Sequence, residues 1–379
     1  MRTARLRRMA ILAAMLSATL AAGSAFGQVI IDNPAKPKNK RAGRTVALEE
    51  AMRIRDDGAN IVFRNPRNLT LLGNGSLVFS DEPHLYVYDK DGKLVFKALK
   101  QGTGPGESLH PDHHFVQGER ISFYSWIPPK LLGYDFRGRY LGETKTAYLG
   151  PFSFLDLVDG KVFGIRDEIR FTEFIHQEGF FETPYTLYEV SPNFEGLKKI
   201  LDIPIQHYIK KAHWWRRAMF VAVPWEHFLF VVHTSEYRID KLDLRAGRIE
   251  RSFKRRFTRV RSGQEETAQD PYEQVPRQLL PPPLDYDFDI YWIQVFRNQL
   301  WVFTSKTKDN DGVSPLVDVF DMDGRYVDCF FMVFPKDNEN RWVFDSLASD
   351  DGHVFVKQED KVTGLISIGK CRIRDEFSQ

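Results

Sequence analysis

The sequence predicts an all-β fold, a six-bladed β-propeller with four-stranded antiparallel blades. Three observations lead there. From residue 60 onward, short alternating apolar runs are separated by turns containing Gly, Asp and Asn, and no long stretch carries the 3.6-residue period of an amphipathic helix. Phe 30, Tyr 14 and Trp 7 give an aromatic share of 13%, and these residue types favour pleated, half-buried surfaces. A strand-ending anchor recurs about every fifty residues, the repeat length of a propeller blade.

In chain order, Arg2, Arg5, Arg7 and Arg8 precede a short apolar run from Ala10 to Ala22, followed by small residues at Ala25 and Gly27. This is the pattern of a secretory signal over residues 1–27, cleaved after Gly27, and it places the mature protein in the periplasm or outside the cell. No cysteine lies near that point to carry a lipid. No later stretch approaches the length of a transmembrane helix. The formal charge of +2 belongs to the four arginines of the signal, and the remainder is slightly acidic, which removes the bulk-charge argument for a nucleic-acid partner.

Residues 28–57 open with the Pro- and Lys-rich stretch Pro34 to Arg41 and continue with Val46 to Met52, a segment suited to one short helix. They read as a flexible arm leading into the folded body, residues 58–379. Ala59 to Phe63 is strand-like and is expected to return to the last blade and close the ring, leaving no exposed sheet edge.

The repeat is clearest from Leu69 to Phe96, where the turn Asp89-Lys-Asp-Gly92 supplies the positive φ a tight hairpin needs. Anchors end strands at Tyr88-Asp, Tyr134-Asp, Tyr188-Glu, Leu242-Asp and Phe320-Asp, with a sixth copy at Ile366-Ser. Six anchors predict six blades. The one long interval holds residues 255–283, a charged, Gln- and Pro-rich insertion whose length suits a lid or a docking element. Cys329 and Cys371 are too few for a disulfide framework or a thiolate zinc site; they either pair or remain separate buried thiols.

The connector Lys100-Gln-Gly-Thr-Gly-Pro-Gly-Glu-Ser-Leu-His-Pro111, together with the Tyr-Asp-x-x-Gly anchors, resembles the inter-blade signature of exported bacterial six-bladed β-propeller proteins related to NHL repeats. The likeness is strongest over residues 65–140 and implies the fold rather than a reaction. Gly102 to Gly106 lacks the Lys-Ser/Thr of a phosphate loop and a following helix, so it reads as a rigid turn.

Residues just before an inner strand surround the mouth of a propeller's central channel, where a few polar groups can converge on a ligand. The candidates there are Arg67, His113, Arg217, Asp287 and Asp345, with Asp289 beside them. In the similar peptide-amidating lyases, histidines at such positions hold zinc; here His113 and His114 meet arginines, aspartates and Phe152 instead of further histidines, so no metal or other cofactor is expected. Trp214 and Trp215, flanked by Lys210, Lys211, Arg216 and Arg217, suit either sugar stacking or bracing of a blade. Serine-hydrolase, zinc-protease and dinucleotide motifs are missing. The expected function is therefore an exported binding or interaction module for a protein, carbohydrate or peptide ligand at the channel mouth. Its rival is a metal-dependent propeller enzyme of the lactonase or lyase kind.

Overall fold

In the computed structural model most of the anchors do local work that explains their recurrence. At four of them the acidic residue folds the hairpin over its own side chain. Asp89 Oδ1 accepts from the backbone N–H groups of Asp91 and Lys93 at 3.0 and 2.9 Å. Asp135, Asp243 and Asp321 do the same for the turns that follow them. Such Asx turns fix where a third strand ends and a fourth begins. The structure describes residues 29–55, 63–81, 83–169, 176–211, 213–262, 279–310, 313–334, 340–349, 352–360 and 362–375. The signal segment, most of Ala59 to Phe63 and the middle of the 255–283 insertion lie outside these residues.

The chain begins with β1 (Val29–Asn33) and β2 (Arg44–Arg55). The first blade is then β3 (Arg67–Leu71), β4 (Leu77–Asp81), β5 (His84–Tyr88) and β6 (Leu94–Ala98). The second is β7 (His110–Gln117), β8 (Arg120–Ile127), β9 (Pro129–Asp135) and β10 (Tyr140–Lys145). The third is β11 (Phe154–Val158), β12 (Lys161–Asp167), β13 (Glu178–Val190) and β14 (Leu197–Lys210), extended by the short β15 (His213–Arg216). The fourth is β16 (Val221–Trp225), β17 (Phe228–Val232), β18 (Arg238–Asp243) and β19 (Arg248–Arg255). The fifth is β20 (Ile290–Phe296), β21 (Gln299–Thr307), β22 (Pro315–Phe320) and β23 (Tyr326–Val333). The sixth contains β24 (Asn340–Ser349), β25 (His353–Asp360) and β26 (Ile366–Asp375). No α-helix occurs among the described residues.

The sixth blade borrows its outer strand from the other end of the chain. β2 pairs antiparallel with β26 from Val46↔Asp375 to Arg55↔Ser367, and its first residues pair in parallel with β23. Thus β2 completes the last blade and ties it to the fifth, in one eight-stranded sheet. The segment expected to be a flexible arm with a short helix at Val46 to Met52 is instead strand. Ala47, Leu48, Glu49, Glu50 and Ala51 have good intrinsic helix propensity, but the open edge of β26 offers a full ladder, and tertiary pairing outweighs local preference. The sixth anchor is displaced for the same reason: Ile366 begins the third strand of its blade, whose fourth strand, β2, comes from the other end of the chain.

β1 adds a fifth, parallel strand outside β19. Its last residue, Asn33, is buried and bridges two blades: its Nδ2 donates to the carbonyls of Lys254 and Gly324 at 3.1 and 2.9 Å, and its Oδ1 accepts from Tyr326 N–H at 2.9 Å.

Six apolar clusters hold the ring, one at each blade-to-blade interface. Leu72, Val78 and Val87 of the first blade meet Ile121, Phe123 and Leu132 of the second. Phe230 and Phe253 of the fourth meet Phe320 and Tyr326 of the fifth. Ile54, Phe355 and Ile368 of the sixth meet Phe79 and Tyr86 of the first, so the circle is closed. The aromatic residues concentrate here, with Phe79 stacked on Tyr86 and Tyr88 at 5.4 and 5.8 Å and Phe253 packed on Phe320 at 5.4 Å. Flat rings fill the wedge between neighbouring twisted sheets.

The Gly-Pro-Gly-Glu connector is a tight turn between the first two blades. Glu107 Oε2 accepts from Gly104 N–H, and the buried Lys130 donates to the Gly104 carbonyl at 2.6 Å and to Glu143 at 3.0 Å. Cys329 and Cys371 are both buried free thiols.

Candidate ligand-binding channel

The inner strands β3, β7, β11, β16, β20 and β24 surround an axial cavity of about 870 Å³. Adjacent strand residues face opposite ways, so alternate side chains of each inner strand reach the axis. Its walls carry Phe152, Phe220 and Trp292, and its polar groups come from every part of the ring.

Arg64 and Arg67 stand where the chain enters the first blade, on a segment held from behind. The buried carboxylate of Asp81 accepts from Arg64 N–H at 2.9 Å and Asn65 N–H at 2.6 Å, and Lys357 of the sixth blade donates to Asn65 Oδ1 at 2.9 Å. Both guanidinium side chains are exposed toward the cavity. Across the ring Arg216 approaches from the end of β15, next to Tyr185 and Asp167.

Farther along the strands lie His113, His114, Asp156, Gln294 and Ser349. His114 Nε2 shares a hydrogen bond with Thr70 Oγ1 at 3.1 Å, and its Nδ1 has no partner among the described residues. Burial, assisted by His113, drives the His114 pKa down to about 3, so the ring is neutral. Asp156 interrupts the apolar strand Phe154 to Val158 and accepts Leu157 N–H at 2.7 Å. Burial pushes its pKa up to about 6, against that hydrogen bond and the nearby His113. The lining therefore combines cationic groups with a neutral imidazole and a protonatable acid.

Of the residues expected at the mouth, Arg67 and His113 line the cavity. Arg217 is not among the lining residues. It is buried, its guanidinium 6.0 Å from the Phe180 ring, and burial lowers its pKa. The place belongs to Arg216, because consecutive residues at a strand end point to opposite faces and the expectation missed the parity by one. Trp215 is buried with Tyr208 and Trp214 is exposed, so this tryptophan pair splits across the sheet.

Asp287 also lies away from the lining. Its segment runs back against the start of the insertion, with Asp287 N–H on the Val260 carbonyl at 3.0 Å and Arg261 bridged to Tyr286. Asp289 is buried and structural, accepting from Arg259 Nε at 3.0 Å and Tyr237 N–H at 2.9 Å. Asp345 falls within β24; its side chain lies outside the described residues. His114, expected there beside His113, lines the cavity too, whereas Arg64, Asp156, Arg216 and Gln294 are lining residues that the positional reasoning did not select. An acid inside an apolar inner strand was the available signal for Asp156. Among the described residues no group of three or more His, Cys, Asp or Glu side chains converges as a metal site.

Six interfaces, inner strands around a polar axis and a closing strand from the N-terminal side define a six-bladed β-propeller with an axial cavity. A family model described as a 6-bladed beta-propeller, DUF5128, matches residues 60–186. Among solved structures the chain is similar to a putative exported protein from Bacteroides fragilis NCTC 9343, at 14% identity over 92% of this chain and 100% of that one, with TM-score 0.51. It is also similar to a member of the duf4221 family from Bacteroides vulgatus, at 9% identity over 87% and 99%, with TM-score 0.53. At such identities the likeness concerns the fold alone. No curated protein matches the sequence.

Proposed function

We propose that the protein is an exported, periplasmic or secreted binding module that holds a small ligand in the mouth of its central channel. The observation that carries this reading is the axial cavity of about 870 Å³, drug-to-oligosaccharide in scale, in which Arg67, His113, Asp156, Arg216, Gln294 and Ser349 converge from separate strands over aromatic walls. Export rests on the signal-like first 27 residues. Among the described residues no helix is long and apolar enough to cross a membrane.

Ser153 is exposed and lines the cavity, so Ser153→Trp obstructs the channel without replacing a core residue. A thermal-shift screen of small metabolites, saccharides and peptides on the mature protein should yield ligands that stabilise the wild type and not S153W. Ligands that stabilise both proteins equally would place binding elsewhere and reject the proposal.

A further inference from the structure

The charge pattern of the channel identifies the class of ligand; this step rests on the channel being the binding site. Arg64 and Arg67 belong to the first blade and Arg216 leads into the fourth, so cationic groups face one another across the ring. Neither Arg64 nor Arg67 has an ion-pair partner among the described residues. The lining carries these three arginines against two acids, Asp81 and Asp156, while Asp167, beside Arg216, lies off the lining. Asp81 is 2% exposed and already occupied by the backbone N–H groups of Arg64 and Asn65. Asp156 has its pKa raised to about 6 by burial and pairs with none of the three arginines. Positive charge over low-dielectric walls such as Phe152, Phe220 and Trp292 focuses the field into the cavity. A guanidinium fork matches carboxylate and phosphate oxygens in two-point geometry. Farther along the strands, the half-buried side chain of Gln294 presents uncharged hydrogen-bonding groups on the lining.

We infer that the channel takes a small organic oxyanion, a carboxylate or a phosphate ester, with its charged group between Arg64, Arg67 and Arg216 and its uncharged remainder along the aromatic wall.

The test uses the mature protein, with citrate and inorganic phosphate as anionic probes and maltose as the neutral one, followed by calorimetry and by tryptophan fluorescence. Citrate should bind the wild type, and its affinity should fall about tenfold or more in R64Q/R67Q and as sodium chloride is raised. R216Q should weaken it as well. R325Q, which removes an exposed charge from a distant turn, should leave binding unchanged. Circular dichroism and unfolding of each variant establish that it is folded. Equal citrate affinity in wild type and R64Q/R67Q, or an equal loss in R325Q, overturns the inference. Binding of maltose but neither anion, abolished in S153W, overturns the oxyanion assignment and leaves the channel as the binding site. Absence of S153W-sensitive binding by all three probes overturns the oxyanion assignment, and failure of the wider screen with S153W then removes the channel reading too.

Discussion

Gly324→Ala tests the packing rule that joins the blades. Gly324 sits in the anchor turn of the fifth blade at φ +83°, with its N–H on the Asp321 carbonyl at 2.9 Å. A Cβ there would lie 2.6 Å from Cδ1 and 2.8 Å from Cγ of Phe253, on the outer strand of the fourth blade. Phe253 is fully buried and wedged against Phe320 and Phe230, so its ring has no room to withdraw. Placing a non-glycine residue in the left-handed region costs roughly 1–2 kcal/mol, and overpacking a tight contact adds about 1–3 kcal/mol. The reduced freedom of the unfolded chain returns about 0.4–1 kcal/mol. The net loss should be on the order of 2–4 kcal/mol. Gly118 is the control: φ is +58° and nothing lies within 4 Å of its Cβ position, so G118A should lose only about 1 kcal/mol. Urea unfolding followed by tryptophan fluorescence reads both as midpoint shifts at unchanged slope. Phe253→Leu should relieve part of the G324A loss, a coupling that local turn strain cannot produce. Equal losses in G324A and G118A, with no rescue by F253L, would refute the inter-blade account.

Three further outcomes follow from buried chemistry. Asp318 is fully buried and accepts from Tyr237, Tyr326 and Arg255 at 2.7, 2.7 and 2.6 Å, and the Arg255 guanidinium lies 4.9–5.1 Å from the rings of Tyr237, Phe257 and Tyr326. Asp318→Leu strands that cation and should cost about 3–5 kcal/mol in denaturant unfolding, while D318L/R255M should recover most of it. Burial holds the pKa of His114 at about 3 and that of His207 at about 4, so below the ordinary value near 6.5 the unfolded chain takes up protons before the native one. Stability should therefore fall as pH drops from 6.5 toward 4, in part offset by Asp156, whose raised pKa works in the opposite sense between about 6 and its ordinary value near 3.8. Melting temperatures across this range read the effect, and His114→Gln should flatten the slope; a protein that gains stability on acidification contradicts the assignment. Burial raises the thiol pKa of Cys371 to about 12 and raises that of Cys329 as well, so a thiol reagent at pH 8 should label neither cysteine in the native protein and both in denaturant.

The blades were legible in the sequence because the anchor is a local device used repeatedly. Its acidic residue caps the turn, its glycine takes the positive φ, and both signals lie within five residues of one another. The structure adds a nonlocal reason for the glycine. Gly92 abuts Met52, Gly138 abuts Phe96, Gly247 abuts Ile200 and Gly324 abuts Phe253, each on the outer strand of the preceding blade. Turn chemistry alone would accept Asn or Asp at several of these positions; the neighbouring blade does not leave them space.

What was not legible depends on pairing across the whole chain. Arg44 to Arg55 reads locally as an arm because its strand character exists only against β26 and β23, some three hundred residues away in sequence. With Met52 on that strand beneath Gly92, the closing strand also supplies the surface on which the first anchor packs, so ring closure and blade packing are one interaction at this seam. The site shows the same division. That polar residues gather along the inner strands follows from the architecture, and Arg67 and His113 lie on the cavity lining. Which of Arg216 and Arg217 faces the axis follows from the register of β14 with β15, where His207↔Arg216 and Tyr208↔Trp215 set the alternation. One residue of register separates a cation on the channel lining from a buried one packed near Phe180.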